Sequence, residues 1–320
     1  MDFHQLKIFI EVARQKNFSR AAENIFLSQP TVSAHIKALE NEIGVPLIDR
    51  SQRELQLTEA GKVLLKYARQ LQGIKDEALF AIQQESRIVK GHLEIAASSV
   101  PGAYILPWLM KSFLEKHPGV TFAVLLRDTR QVYNNIRDYT YDLGFVGEPA
   151  APDGLDQIML LGDELVLVAA PDICLSDIFK SKSKPGSQFY EIDLSTGINR
   201  KNLLRIPFIM REPGSATRIV FENALQKFYG KKKVPLNIVA YLESQEAIKE
   251  AVKAGLGVTA ISCKAVNEEL SSGSMQGYRL PDLHLKRNFY LIYHKNRIFS
   301  ILNQAFLDHC IDHFQPGASF

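Results

Sequence analysis

The sequence predicts an α/β fold in three parts: a winged helix-turn-helix domain rich in α-helix, a long linker helix, and a two-lobed α/β domain. Two short amphipathic helical patterns meet at a tight turn within residues 17–40. Apolar residues then recur at steps of four and three along residues 60–81, and short apolar strands alternate with helices from residue 91 onward. We expect domains at 1–58, 59–90 and 91–320. The last should form one lobe from about 91–165 and 268–320 and another from about 166–267.

The first two helical patterns begin at hydroxyl residues. Ser19 is the predicted N-cap of the first helix and Ser28 that of the second, where proline in the first turn is tolerated. One face of each helix is apolar, so that face can enter a small core. The opposite face of the second helix carries donors and acceptors that suit base edges and phosphates in a major groove. The expected DNA-binding residues of this helix are Ser28, Gln29, Pro30, Thr31, Ser33, His35 and Lys37.

A short hairpin, or wing, is predicted next, because Gly44 can end the helix and Leu55 and Leu57 alternate as in a strand. Arg50 and Arg53 would lie at the tip of the wing. They could contact DNA phosphates or simply face solvent, and both interpretations stay open. The net charge of this region does not indicate DNA binding, because residues 1–60 contain seven Lys and Arg against eight Asp and Glu. The DNA-binding hypothesis therefore depends on the helical pattern.

Thr58 can cap a long helix that extends to about residue 88 without a proline. Its apolar residues form the narrow stripe that is typical of a coiled-coil seam, namely Ala60, Leu64, Tyr67, Leu71, Ile74, Ala78 and Ala81. The alternative is a helix that packs on its own domain. We favour the seam, because polar residues separate the apolar ones, and we expect a homodimer or homotetramer.

The C-terminal part repeats one pattern, in which a strand is followed by a hydroxyl cap and a helix. Strand 120–126 precedes Thr129, and strand 236–242 precedes Ser244. A single helix is predicted over 104–117, and the polar residues 180–200 are predicted to be a loop. Two similar lobes joined by crossovers leave a cleft between them, as in periplasmic-binding-protein-like domains.

Ligands of open α/β sheets bind beyond the carboxyl ends of strands, where helix N-termini present N–H groups to anions. One such segment follows a strand in each lobe. The candidate effector-binding residues are Ser98, Ser99, Val100, Pro101, Gly102, Thr129, Gly147, Ser215, Ala216, Thr217 and Ser244. Plain N-capping explains the hydroxyl residues equally well. If the segments bind a ligand, we expect a small-molecule effector such as an inorganic oxyanion or a small carboxylate.

Enzyme motifs are missing from the sequence. It has no nucleophile elbow, P-loop or dinucleotide fingerprint, so we expect no catalytic residues and no cofactor. His309 and His313 are four apart on a predicted helix and could hold a surface metal, but no third ligand is indicated, so we favour a solvated helix end and expect no metal. Three widely spaced cysteines, no secretory signal and no bilayer-length apolar run predict a cytoplasmic protein without membrane contact. A secreted solute-binding protein would have no use for the first 90 residues. An enzymatic or solute-binding α/β domain fused to a DNA-binding module is the alternative.

Several motifs carry a resemblance to a known family. They are Ala21-Ala22, Ser28-Gln29-Pro30, Val32-Ser33, Ile36-Lys37, Leu39-Glu40, Leu47, Arg50, Leu57-Thr58 and Ala60-Gly61. With them the chain resembles the LysR-type transcriptional regulators over essentially its full length. The resemblance implies a dimer or tetramer that binds double-stranded operator DNA through the helix beginning at Ser28. It also implies an inducer in the interlobe cleft and places RNA polymerase among the candidate partners.

Two positions depart from the family pattern. Many relatives have Arg where this chain has Ala34, and Phe where it has Ile48, so a common basic DNA contact is missing and its role could pass to His35 or Lys37. Residues 211–218 are similar to a subgroup concerned with sulfur, selenium or carbon assimilation. That similarity also indicates a small anion as the effector.

Overall fold

A computed structural model gives the structure of residues 1–49, 55–82, 89–148, 154–173, 175–179, 181–183, 188–297 and 299–314. A winged helix-turn-helix domain is followed by a long helix and then by two α/β lobes that share one strand. The predicted fold class is confirmed.

The N-terminal domain closes a small apolar core between its first helices. Its elements are α1 Phe3–Gln15, α2 Phe18–Asn24, α3 Gln29–Ile43, β1 Ile48–Asp49, β2 Gln56–Leu57 and α4 Glu59–Ile82. Ser28 caps α3 as predicted, because its Oγ accepts the N–H of Thr31 at 3.3 Å. The cap predicted at Ser19 is wrong. Asn17 caps α2 instead, since its side chain reaches the N–H of Arg20 at 3.1 Å and the helix therefore begins at Phe18.

The wing packs against the start of α4. Gly44 ends α3 in the left-handed conformation, with φ 82°, as the sequence predicted. Thr58 caps α4, because its Oγ1 accepts the N–H of Gly61 at 3.0 Å. A Cβ at Gly61 would collide with the carbonyl oxygen of Leu47, so α4 approaches the wing this closely only with glycine at that position.

The predicted seam of α4 has different neighbours along its length. Ala60 and Leu64 pack against the core of the N-terminal domain, so the first part of the predicted seam belongs to its own domain. Further along, Tyr67, Leu71 and Ile74 are 55%, 37% and 46% exposed, and Ala78 is also exposed. The side chain of Ala81 lies outside the part of α4 whose side chains the structure describes. The unpaired seam of α4 therefore begins at Tyr67.

The C-terminal domain begins at β3. Its helices are α5 Ser99–Tyr104, α6 Leu106–Lys116, α7 Thr129–Arg137, α8 Leu175–Ile178, α9 Gly197–Arg205, α10 Ala216–Tyr229, α11 Gln245–Lys253, α12 Asn267–Ser271 and α13 Ile301–His313. Its strands are β3 Gly91–Ala97, β4 Val120–Leu126, β5 Leu143–Val146, β6 Leu155–Ala169, β7 Ser181–Ser183, β8 Phe189–Ile192, β9 Pro207–Arg211, β10 Asn237–Leu242, β11 Thr259–Ser262, β12 Gln276–Arg279 and β13 Lys286–His294.

Strand β6 runs through both lobes. In the first lobe the strand order is β4-β3-β5-β13-β6, with β3, β4 and β5 parallel and β13 antiparallel to both of its neighbours. In the second lobe the far half of β6 pairs with β11 and β12, and β12 continues through β8 to β7. Strands β9 and β10 form a separate parallel pair beside β11. The lobes therefore meet along β6 and β13.

Three expectations for this domain differ from the structure. The helix predicted over 104–117 is α6, which begins at Leu106 because the short helix α5 precedes it and ends at Tyr104. Residues 180–200 are not simply a loop, because β7, β8 and the start of α9 lie there. The chain returns to the first lobe at β13 and not near 268, since Gly277 in β12 pairs with both β6 and β8.

Each lobe buries its own apolar core. Phe113, Phe145 and Phe289 are fully buried in the first lobe, and Phe208 and Phe221 in the second. Burial of each such side chain contributes about 1.5–3 kcal/mol. Within the described residues, no helix combines the length and apolar character that a bilayer span requires.

Candidate DNA interface and effector site

Helix α3 turns its polar first turns to solvent. Gln29, Thr31 and Lys37 are exposed, and Ser33 is half-buried. The hydroxyl groups of Ser28 and Thr31 lie 2.7 Å apart, so the N-cap also fixes the Thr31 side chain. Short polar groups on a capped, solvent-facing helix suit the edges of bases in a major groove.

His35 lies apart from that exposed face. It is half-buried, and its ring meets the ring of His4 edge-on with 5.2 Å between centroids, so it packs toward α1. Ala34 is exposed beside Lys37, which makes Lys37 the better placed of the two for a basic contact to DNA. Arg50 and Arg53, predicted at the wing tip, fall outside the described residues.

A narrow cavity of about 10 Å³, the room that about one water molecule needs, lies between the lobes. It gathers most of the candidates from both lobes: Ser98, Ser99, Val100, Pro101, Thr129, Gly147, Ser215, Ala216 and Thr217. Its wall also contains residues that the sequence analysis missed, namely Arg127, Asp128, Arg211, Glu212, Arg287 and Phe289. Three arginines and two acids line the wall, and a third acid, Asp163, pairs with Arg287 behind it, so any preference for an anion depends on the hydrogen-bonding groups described next.

Two candidates lie outside this cavity. Gly102 packs against β4, where a Cβ would require the exposed side chain of Leu126 to move. Ser244 lines a neighbouring pocket and caps α11, with its Oγ 3.4 Å from the N–H of Ala247. For Ser244 the capping interpretation describes the structure.

Arg287 lies on β13, and its side chain is almost wholly buried. Its Nε donates to Asp163 Oδ2 at 2.8 Å, and its Nη1 donates to Thr217 Oγ1 at 3.1 Å across the lobes. Asp163 Oδ1 in turn accepts from Ser262 at 2.8 Å. Burial lowers the pKa of Arg287, and the attraction of Asp163 opposes that change. The guanidinium is therefore held charged in a fixed orientation.

Two hydrogen-bonding groups of the cavity wall are left over. Arg287 Nη2 and Thr129 Oγ1 are buried and have no partner among the described residues. Buried polar groups are nearly always paired, and leaving one unpaired costs about 1–3 kcal/mol. Ser98 and Ser215 make no side-chain capping bond at α5 and α10, although both occupy N-cap positions. The wall of the cavity thus has hydrogen-bonding groups that a bound ligand would satisfy.

Arg211 closes the opposite wall of the cavity. Its Nε and Nη2 each donate to Glu212 at 2.7 Å, and Nη2 also donates to Ser99 Oγ at 3.0 Å. Arg211 already uses Nε and Nη2 in these bonds, whereas the buried Nη2 of Arg287 has no partner in the described structure, so Arg287 is the more available donor to a ligand. Because Ser99 belongs to the first lobe and Arg211 to the second, their bond links the lobes.

Comparison with known proteins identifies the family. Residues 3–62 match the model of the bacterial regulatory helix-turn-helix protein, lysR family, and residues 86–315 match the LysR substrate binding domain. The chain belongs to the LysR family of transcriptional regulators. The HTH-type transcriptional activator CmpR of Synechocystis sp. is 31% identical over 97% of this chain and 95% of its own length.

Solved structures show the same fold for this LysR-family chain. A full-length OxyR variant from Pseudomonas aeruginosa has a TM-score of 0.74 at 18% identity and covers 98% of this chain and 94% of its own. The regulatory domain of CcmR from Synechocystis, solved in complex with 2-PG, has a TM-score of 0.60 at 24% identity. That match covers 72% of this chain and all of the CcmR domain.

In this LysR-family chain the linker helix α4 contacts the first lobe through side chains. We call this group of residues the linker joint, and its members are Arg69, Asp138, Tyr139, Thr140, Asp142 and Arg297. Arg69 Nη1 donates to the Asp138 carbonyl at 3.1 Å and to Thr140 Oγ1 at 2.8 Å. Arg297 pairs with Asp142, and its guanidinium lies against Gly73 of α4. The joint follows directly after α7, which begins in the effector cavity at Thr129.

Proposed function

We propose that this LysR-family regulator binds operator DNA through α3 and responds to a small anion that occupies the interlobe cavity. The observation that supports an anionic ligand is a pair of buried groups without a hydrogen-bond partner in the described structure, Arg287 Nη2 and Thr129 Oγ1. A guanidinium N–H and a hydroxyl that converge on one small space suit an oxyanion or a carboxylate, because hydrogen bonds to charged groups are the strongest of their kind.

The hydrogen-bonding groups of the cavity narrow the ligand class. In this arrangement of the lobes the cavity has a volume of about 10 Å³, so an anion enters only when the lobes separate. Arg211 and Arg287 are each paired with an acid, but Arg287 also has a buried N–H without a partner in the described structure, so it offers the anion a charged donor. We propose a single anionic head group there, with Ser98 and Ser215 as further hydroxyl partners.

Binding in this cavity would couple to lobe closure. Arg211 reaches Ser99, and Arg287 reaches Thr217, so the walls of the cavity already join the lobes. A ligand that contacts both walls binds the closed form better and shifts the population toward it. The linker joint provides a route from the first lobe to α4.

We further propose the domain division 1–58, 59–90 and 91–320, with the return to the first lobe at β13. The exposed seam from Tyr67 to Ala78 would pair two copies of the chain. Asp163 and Glu212 are each held by an arginine, and Asp128 accepts the N–H of Gln131 as the N-cap of α7. None of the three is placed as a general base, so the ligand should leave unchanged. A regulator of bacterial DNA acts in the cytoplasm, which is the location we propose.

Thermal melting of the full-length chain with a panel of small solutes tests the ligand class. Phosphate, sulfate, acetate and 2-PG are compared with neutral glycerol at constant ionic strength. An anion at a hundred times its Kd should stabilise the protein by about 2.7 kcal/mol. The proposal fails if glycerol raises the melting temperature as much as the best anion, or if all four anions match sodium chloride. Recovery of a chemically altered ligand would favour the enzymatic alternative.

A further inference from the structure

Phe26 combines full exposure with a left-handed backbone. It lies in the turn between α2 and α3, with φ 57° and 94% of its surface exposed. Two hydrogen bonds impose this conformation: Leu27 N–H donates to Ala22 O at 2.9 Å, and Phe26 N–H donates to Glu23 O at 3.2 Å. This pair of bonds is the Schellman motif of a helix end. The helix end, and not the phenyl ring, therefore sets the conformation of Phe26.

Glycine or asparagine is the usual residue at this position of a helix end, because a larger side chain crowds the left-handed backbone. Gly44 and Gly230 follow that preference at the ends of α3 and α10, with φ 82° and 63°. Lys16 and Tyr139 depart from it at the ends of α1 and α7, but Lys16 is polar and Tyr139 is buried. A phenyl ring stabilises a fold through burial, and Phe26 is almost wholly exposed. Neither backbone conformation nor packing within the described chain accounts for phenylalanine here.

We propose that Phe26 is a further DNA-contacting residue, whose ring lies against apolar surface at the edge of the groove that α3 enters. The inference rests on the proposed function of α3. Phe26 stands two residues before the N-cap Ser28, and a helix that enters the major groove by its N-terminus brings the preceding turn to the groove wall. The apolar surfaces there are thymine methyl groups and deoxyribose carbons, and phenylalanine is suited to a thymine methyl.

Phe26→Asn tests the contact, because asparagine tolerates the left-handed backbone and removes the ring. The probe is a duplex that the full-length chain selects from a random-sequence pool. We expect Phe26→Asn to weaken binding to this duplex about 5- to 50-fold with an unchanged salt slope, since no charge is lost. The melting temperature should stay the same or rise by about 2–4 °C. Phe26→Tyr keeps the ring and should bind within about twofold of the wild type.

Two further variants separate the outcomes. His284→Asn changes another left-handed residue, with φ 48°, in the second lobe and should leave DNA affinity unchanged. Gln29→Ala tests whether α3 itself contacts DNA. If Gln29→Ala weakens binding and Phe26→Asn does not, the inference about Phe26 is overturned while DNA binding through α3 stands. If neither weakens binding, both fail.

Three other results are decisive. A lower melting temperature together with lower affinity would show that the ring serves the fold, which overturns the inference. Dissociation of Phe26→Asn in sedimentation would place the ring between copies of the chain and overturn it as well. A selected duplex with uracil in place of thymine distinguishes the two DNA surfaces. Loss of the Phe26 effect on that duplex assigns a methyl contact, and its persistence assigns a sugar contact.

Discussion

Thr129→Val removes one hydroxyl from the wall of the effector cavity and keeps the size of the side chain. Thr129 is 5% exposed, and its Oγ1 has no partner within the described structure. The free protein therefore desolvates this hydroxyl without compensation, at a cost of about 1–3 kcal/mol. Valine lacks that cost, so we expect the free energy of unfolding of the ligand-free protein to rise by up to this amount.

The same substitution should weaken the anion complex. A hydrogen bond to a charged group contributes about 1.5–3 kcal/mol, which corresponds to a roughly 10- to 150-fold higher Kd. Stability and affinity are thus expected to change in opposite directions. Chemical denaturation measures the first, and calorimetry with the best anion of the panel measures the second.

Ser244→Ala is the matched control, because Ser244 was an equal candidate in the sequence but lies outside the cavity. Loss of its cap on α11 should lower stability by about 1 kcal/mol and leave anion affinity unchanged. The reasoning is refuted if Thr129→Val binds the anion as tightly as the wild type, or if it destabilises the ligand-free protein.

Gln29→Ala should weaken binding to a selected duplex by about 1–3 kcal/mol and spare random-sequence duplex, and an equal loss on both in gel-shift titrations would contradict a base contact. Leu71→Glu places an unpaired charge in the seam of α4 at a cost of several kcal/mol, so sedimentation should show monomers, whereas a persistent dimer at low concentration would put the seam elsewhere. Arg69→Gln should leave anion affinity of the free protein intact but reduce the effect of the anion on DNA affinity, and an unchanged coupling would exclude the linker joint from the route.

Local chemistry explains what the sequence could predict. Ser28, Gly44 and Thr58 act within four residues of their own positions, as caps or helix ends, and the structure confirms all three. The effector segments were predicted for the same reason, because hydroxyl residues at helix starts are a local signal. The prediction that Ser19 caps α2 was wrong, because Asn17 is an equally good cap and lies two residues earlier.

Long-range pairing explains what the sequence could not predict. Strand β8 forms within a polar segment because Tyr190 pairs with Tyr278 in β12, a partner far along the chain. Arg287 gives no local signal either, since Asp163, the acid that fixes it, is 124 residues away. Its role emerges only when β6 and β13 lie side by side.

Helix α7 connects the effector cavity with the place where two copies of the chain would meet. It begins at Thr129 in the cavity wall, extends about 14 Å at 1.5 Å per residue over its nine residues, and ends beside the carbonyl that holds Arg69. Arg69 lies between Tyr67 and Leu71 in the sequence of α4, about 200° from each around the helix, so the linker joint and the exposed seam share one turn on opposite faces. A movement of the first lobe that follows anion binding would therefore act on α4 from the face opposite the seam, and a small rotation of that turn would change the separation of the two α3 helices on DNA.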